Sequence, residues 1–589
     1  MNSFNFNSLI NTLTGTFLST AILMVGVSQA AVGVVQFATP DDGDGFENMR
    51  CMQGAVVTPN GRFAYAGSFC NKALVSFSRN EETGELTPIL NTLNDDTTDG
   101  SGVSPHDGMF ISADGLHLYV PGHTNEGDNF RDVIFVYDIN AETGTLTFNQ
   151  LFDDFEHSSS EYFYRLSDDG KNMYVAVADG HIYTLSRAAN GKLSRIQLIM
   201  SEHLTDEFWR SERIWDIELS GDQTHLYLTT NPHHIFWLQR DESTGVLSVA
   251  GSTDGSQIDE FNDDEITDFA ISPDGNDLYG STWDDRFLHF RIADDRSVSL
   301  SNFFDELPDS HPNPRFYCTN KPKLSENGRL FYVVDACSDD IQVWTRDVNT
   351  GELTYRDAAF DGESGVPDDM FSQMEMLDFS HNKQQILGST NGGLAVLDLT
   401  VDMKLQVDIA EVVTAGESIE LELDIENLGL AIAHDALITI DAGEFAVTDA
   451  TISGSGTDCS YAAGEDILCT IDRFVPTAME RITLTLVAPL APATYPISAT
   501  STQAQIDKDS TNNQIDLMVR VDAAEIPTPA PEEPEQPDDS APDTPELPDP
   551  QPEPDDIDGV DNSSGGGGAI NAGWLLLMMA AAWRRKIRV

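Results

Sequence analysis

Through the first 400 residues the apolar positions come in short runs, each broken by a turn phrase, and the phrase repeats. It has the form Ser/Thr-x-Asp/Asn-Gly-x-x-Leu-Tyr. It occurs as Thr58-Pro59-Asn60-Gly61 leading to Tyr65, Ser112-Ala113-Asp114-Gly115 to Tyr119 and Ser167-Asp168-Asp169-Gly170 to Tyr174. Further copies are Ser220-Gly221-Asp222-Gln223 to Tyr227, Ser272-Pro273-Asp274-Gly275 to Tyr279 and Ser325-Glu326-Asn327-Gly328 to Tyr332, with a decayed seventh, Ser380-His381-Asn382-Lys383, to Leu387. The last positions lie 54, 55, 53, 52, 53 and 55 residues apart, which marks a repeat protein. Within a unit, an apolar run such as Phe269-Ala270-Ile271 enters the Asp-Gly or Asn-Gly turn, which supplies the positive φ a tight hairpin needs, and a second strand returns through Leu-Tyr. A third run follows, as in Val133-Ile134-Phe135-Val136-Tyr137, and a Thr-Gly-x-Leu-Thr turn such as Thr83-Gly84-Glu85-Leu86-Thr87 leads into a fourth. Four strands per unit make a β-propeller blade, and seven units make a seven-bladed ring.

The seventh unit runs out after Leu394-Ala395-Val396-Leu397-Asp398-Leu399, without a fourth strand, while Val32-Gly33-Val34-Val35-Gln36-Phe37 precedes blade one without a partner. Pairing the two closes the ring and removes both open edges. Over 401–522 the pattern changes to strict alternation, as in Ile419-Glu420-Leu421-Glu422-Leu423 and Ile482-Thr483-Leu484-Thr485-Leu486, which predicts an antiparallel β-sandwich. The chain is therefore expected to be all-β over 31–522.

Composition sharpens this picture. The 98 acidic against 32 basic residues, a formal charge of -66, would repel a phosphate backbone, so nucleic acid is excluded as a partner. With 40% apolar residues and 30 Phe, the chain can still bury large cores. At the amino end an apolar stretch over 17–27 precedes Ser28-Gln29-Ala30, which predicts a signal peptide over 1–30 cleaved by signal peptidase. Residues 523–564 hold eleven prolines, fourteen acidic residues and no basic one, predicting an extended, disordered, self-repelling stalk. Residues 565–589 join a glycine run, a short hydrophobic helix over 572–583, and Arg584-Arg585-Lys586, whose charge sets the carboxyl end in the cytoplasm. Six cysteines form three local pairs, Cys51/Cys70, Cys318/Cys337 and Cys459/Cys469. The first two share a 19-residue separation and bracket the same repeat phrase, favouring disulfides and export over a zinc site.

Three resemblances follow from these residues. Ser-Pro-Asp-Gly-x-x-Leu-Tyr and Thr-Gly-x-Leu-Thr at this spacing resemble the lactonase-type seven-bladed propellers, the group of bacterial 6-phosphogluconolactonase and fungal carboxymuconate cyclase, over residues 31–400. The run from Ala415-Gly416-Glu417 to Asn427-Leu428-Gly429, with Cys459/Cys469 and Asn512-Asn513, resembles the CARDB-like Ig-fold repeats of bacterial surface proteins. Residues 563–589 resemble the GlyGly-CTERM sorting signal, which implies cleavage by a rhombosortase-type protease and display on a Gram-negative surface through type II secretion.

In a propeller the ligand site lies at a mouth of the central channel, where the innermost strands begin. Counting four or five residues back from each repeat Ser/Thr selects Gln53, Asp107, Tyr162, Trp215, Asp216, Thr267, Asp268, Asn320, Lys321 and Glu375 as candidate ligand contacts. The lactonase resemblance implies a functional histidine in a Pro-His element, matched by Pro105-His106-Asp107, and His106 beside a carboxylate could act as a general base on a lactone carbonyl. The arginine the resemblance implies at the next entrance is replaced by Glu161-Tyr162-Phe163-Tyr164, with Arg165 further along the strand. Asp41-Asp42-Gly43-Asp44-Gly45 offers oxygens that could hold Ca²⁺, against a solvated acidic turn; no other cofactor is expected. The function these features predict is a secreted, cell-surface propeller binding a small polar ligand, glycan or surface protein on an Ig-like spacer. The alternatives are a lactonase-like hydrolase or isomerase and a purely architectural envelope protein.

Overall fold

The computed structural model describes residues 31–525 apart from 44, 94–107, 127–128, 157–161, 201–212, 232–233, 255–265, 283–285, 309–310, 313–315, 317–318, 320–321, 336, 364, 372–373, 381 and 455. The leader, most of the acidic stalk and the carboxyl-terminal segment lie outside the described residues. Seven four-stranded antiparallel sheets follow one another along the chain, each ordered from an innermost strand outward. The innermost strands are Met52–Val57, Phe110–Ile111, Tyr162–Leu166, Arg213–Leu219, Ile266–Ile271, Lys323–Leu324 and Met374–Phe379. In the first six blades the fourth strand comes from the same unit. In the seventh it is Gly33–Ala38, which pairs antiparallel with Leu394–Asp398 from Gly33 opposite Asp398 to Ala38 opposite Leu394. This is the closure the apolar runs predict.

The closing strand matches its counterparts in detail. Gln36 clasps the backbone of Leu86 in blade one, donating to its carbonyl at 3.2 Å and accepting from its N–H at 2.8 Å. Gln150 does the same to Leu193, and Gln197 to Leu247, each from the fourth strand of one blade to that of the next.

The repeated phrase is explained by what its side chains hold. In blade five, the Ser272 hydroxyl donates to Asp274 at 2.5 Å and accepts from the Asp277 N–H at 3.0 Å, closing the turn between the first two strands. The glycine position of this turn has positive φ in every blade, and Gln223 and Lys383 adopt it where glycine is missing (φ 59° and 52°). The tyrosine reaches across to the following blade. The hydroxyls of Tyr65, Tyr119, Tyr174 and Tyr279 donate to the carbonyls of Gly144, Gly191, Gly245 and Gly351, all in the turn before the next blade's fourth strand, at 2.6–2.9 Å. Three of these hydroxyls also accept from an arginine of that next blade, Arg187, Arg240 and Arg346, at 2.7–2.8 Å. Where Leu387 replaces the tyrosine, Arg79 bonds Gln385 instead. Repeat tyrosine and arginine thus fasten blade to blade. Tyr174→Phe leaves the buried Arg240 Nε and Gly245 carbonyl without this partner and is expected to cost about 1–3 kcal/mol, read as a lower urea midpoint at unchanged slope.

Residues 403–522 form two further sheets. One orders Met403–Asp408, Ser418–Asn427, Met479–Val487 and Ala446–Ile452. The other orders Val412–Thr414, Gln514–Asp522, Ala493–Thr502, Ala433–Asp441, Ile467–Phe474 and Thr457–Ser460. Their alternate residues, among them Leu421, Leu423, Ile425, Ile438, Ile482 and Leu484, make one buried core. This body belongs to the same compact unit as the propeller. It sits against blade six through Arg356–Asp435 (2.7 Å), Arg473–Asp357 (2.6 Å) and an Asn327 amide bond to the Ala504 carbonyl (3.1 Å). Cys51–Cys70 and Cys459–Cys469 are disulfides, with Cα–Cα distances of 5.5 and 4.1 Å. Cys337 is disulfide-bonded as well, and Cys318 lies outside the described residues.

Candidate functional site

Side chains two and four residues before the repeat Ser share one sheet face, because a strand alternates its faces. At these positions the innermost strands carry Arg165 from blade three, Asp216 and Glu218 from blade four, Asp268 from blade five, Lys323 from blade six and Asp378 from blade seven. They form an ionic network that crosses between blades. Arg165 donates from Nη2 to Asp216 and from Nε to Glu218, both at 3.0 Å. The other Asp216 oxygen accepts the Phe269 N–H of blade five at 3.2 Å. Lys323 Nζ stands 3.9 Å from Asp378, whose other oxygen accepts the Ala55 N–H of blade one at 3.3 Å.

Burial sets the electrostatics. It pushes the Asp216 carboxyl well above the usual carboxylate range; Arg165 opposes this, and Asp268 and Glu218 reinforce it. Asp268 is raised by burial against the pull of Arg165 and Lys323, and Asp378 by burial against Lys323, the Ala55 N–H and Arg165. Burial disfavours the Arg165 cation, but Glu218 and Asp216 outweigh it and hold the guanidinium charged. One arginine thus acts on carboxylates from three other blades. As Asp216, Asp268 and Asp378 bind protons more tightly folded than unfolded, their contribution to stability is complete below the ordinary value of 3.8 and is lost as pH rises through their raised folded values.

At the start of the innermost strands the regular pairing breaks at corresponding places. Register shifts fall between Ile214 and Asp216, Ile266 and Asp268, Met374 and Met376, and Met52 and Ala55. The extra residues are Trp215, Thr267 and Glu375, with Gln53 in the looser shift of blade one. A bulge re-aims a side chain and is common beside binding sites. Trp215 is partly exposed and lies under the Arg213 guanidinium, 4.1 Å from the ring centroid. The Thr267 hydroxyl donates to the Ser281 carbonyl at 3.4 Å.

The candidate ligand residues therefore separate. Gln53, Trp215 and Thr267 stand at the bulged rim, partly exposed, and Glu375 holds the same place on its strand. Two expectations are corrected. Blade three has no bulge before Leu166, so Tyr162 keeps the opposite parity and is buried among Phe155, Tyr164 and Tyr183 instead of facing the mouth. Asp216 is buried and committed to Arg165, so it holds the wall together and is not open to a ligand. Asp268 is partly exposed within the network. His106, Asp107, Asn320 and Lys321 lie outside the described residues. Asp42 accepts from the Thr39 N–H (2.6 Å) and hydroxyl, capping its own turn. Counting back four or five residues missed Glu218, Lys323 and Asp378 and left Arg165 without a role. Extending the same alternation to the position two before the Ser finds all four.

No protein-family model matches the chain, and no curated protein matches it. Among solved structures the chain is similar to a "putative 6-phosphogluconolactonase" of Bacteroides uniformis, at 18% identity and TM-score 0.42 over 53% of this chain and 85% of that one. It is similar to the periplasmic gluconolactonase of Pseudomonas aeruginosa at 13% identity and TM-score 0.41, over 61% and 89%. A β-propeller domain from Myceliophteria thermophila matches at 13% identity and TM-score 0.41, over 60% and 97%. The propeller assignment rests on the sheet order and the ring closure described above.

Proposed function

We propose that the protein is an exported, surface-displayed propeller that binds a small polar ligand, or a polar group of a partner, at the channel mouth. The observation that carries this reading is the set of bulges at one place in blades one, four, five and seven. They turn Gln53, Trp215, Thr267 and Glu375 out of the regular pairing at the rim, with Trp215 stacked on Arg213. An aromatic face with a cation and amide or hydroxyl groups suits a sugar or small organic acid. Beneath the rim, Arg165 and its carboxylates already satisfy one another, which suits a rigid wall better than a reacting group. On this reading the leader at 1–30 and the signal at 565–589 deliver the protein to the cell surface, with the Ig-like body as spacer.

The experiment is a thermal-shift screen of sugars and organic acids. The best ligand is expected to lose at least roughly tenfold in affinity in Trp215→Ala, about 1.4 kcal/mol. A panel without a stabilising ligand, or equal affinity in the variant, contradicts the reading. A second reading, lactone hydrolysis, draws on Asp268, a partly exposed residue whose carboxyl has raised proton affinity.

A further inference from the structure

Away from the channel mouth, the face that carries the Ser-x-Asp-Gly turns has an open groove of about 610 Å³ between blades two and three. Its origin is legible in the turn before the fourth strand. Blade four uses Asp241-Glu242-Ser243-Thr244-Gly245-Val246 between Arg240 and Leu247, whereas blade three has only Ala188-Ala189-Asn190-Gly191-Lys192 between Arg187 and Leu193. The longer turn closes through Gly245 N–H to the Asp241 carbonyl, the shorter through Gly191 N–H to the Ala188 carbonyl. Blade five shares the short form, but there Arg296 reaches back to Asp222 of blade four. In blade three Gly191 stands at that place, with φ 80°, and a Cβ there would collide with the His117 ring. The space stays open.

The groove is furnished. Phe148 is 45% exposed, yet its ring is held edge-on by the buried Tyr137 at 6.0 Å, so it presents a fixed apolar platform. Beside it, the Asn149 amide donates to Asp138 at 2.5 Å and to the Asn190 carbonyl at 2.8 Å, which fixes the carboxylate relative to the ring. The floor is His117, 5% exposed. Its Nδ1 lies 2.8 Å from Arg187 Nη2, which can only donate, so Nδ1 accepts and the ring proton sits on Nε2. Nε2 faces Asp138 at 3.5 Å, too far for a strong direct bond. A ligand hydroxyl placed there would accept from Nε2–H and donate to the carboxylate. Burial and Arg187 both hold His117 below its ordinary proton affinity, keeping this tautomer neutral.

We propose that this groove is a second ligand site, for a pyranose sugar: its apolar face stacks on Phe148, and a hydroxyl bridges His117 and Asp138. An aromatic platform beside a fixed carboxylate and a fixed donor is the complement of a ring with one C–H face and equatorial hydroxyls. The site is independent of the channel-mouth reading and lies on other residues, so either can fail alone. The test is saturation-transfer NMR on the full chain with methyl pyranosides of glucose, galactose, mannose and N-acetylglucosamine. With Trp215→Ala as the background, so that the channel mouth does not contribute, at least one is expected to give a saturable signal, unchanged in the exposed-aromatic control Phe303→Ala. Phe148→Ala and Asp138→Asn are each expected to weaken it roughly tenfold or more. Both changes are at exposed side chains, and an unchanged melting temperature verifies that the variants fold. No saturable signal with any of the four sugars overturns the proposal, as does a signal that survives in Phe148→Ala.

Discussion

Removal of residues 31–38 is expected to abolish cooperative folding of the propeller. That segment is the whole fourth strand of blade seven, so its loss leaves Leu394–Asp398 as an unpaired edge and opens the ring at one seam. Two cores are breached at once: Ala31 and Val32 pack with blade-six and blade-seven residues, and Ala38 packs with blade one. The Gln36 clasp on Leu86 goes too. Together these should cost about 5 kcal/mol or more, a large share of the stability typical of a folded domain. A truncated chain that unfolds in one transition at the native urea midpoint would show that the ring does not depend on this strand. The milder Gln36→Ala, which removes only the clasp, should lower the midpoint without changing the slope.

Arg165→Met carries the second large effect. It leaves Asp216 and Glu218 partly or wholly buried without their cation, and breaking a buried ion pair from one side costs about 3–5 kcal/mol. The loss should depend on pH with a definite sign. Without Arg165 the Asp216 and Asp268 carboxyls rise further, so the folded variant holds protons that the unfolded chain releases. The wild type holds the same protons up to the folded values of Asp268 and Asp216, about 6 and about 8, so the deficit should be smallest on the acid side and should grow as pH rises through those values. Adding Asp216→Asn to Arg165→Met should recover part of the loss at neutral pH. Urea titrations of both variants at acidic and neutral pH measure this, and a deficit independent of pH would mean that the network contributes through packing alone.

The architecture was legible because it is written in local chemistry. The Ser hydroxyl, the turn aspartate, the positive-φ residue and the interblade tyrosine each recur at fixed spacing, so seven blades could be counted, and the orphan apolar run at 32–37 named its own partner. The channel was less legible for a specific reason. A bulge adds one residue to one strand and reverses side-chain parity before it, so one offset counted back from the Ser selects rim residues in blades one, four, five and seven but the buried Tyr162 in blade three. The network partners Glu218 and Asp378 sit on the other side of the bulge, where regular alternation holds. The groove on the turn face depends on a one-residue shortening shared by blades three and five and on Gly191 standing in blade three where blade five has Arg296, differences small against a repeat that varies by up to three residues in spacing.

The central claim is that the channel of this propeller is a wall held by its own ion pairs, with recognition at the rim. A pH-stat assay of the protein with sugar and aliphatic lactones, run beside His106→Ala and Asp268→Asn, tests it most directly. We expect proton release at the uncatalysed rate in all three proteins; saturable turnover that disappears in either variant would contradict the account and make the channel an active site.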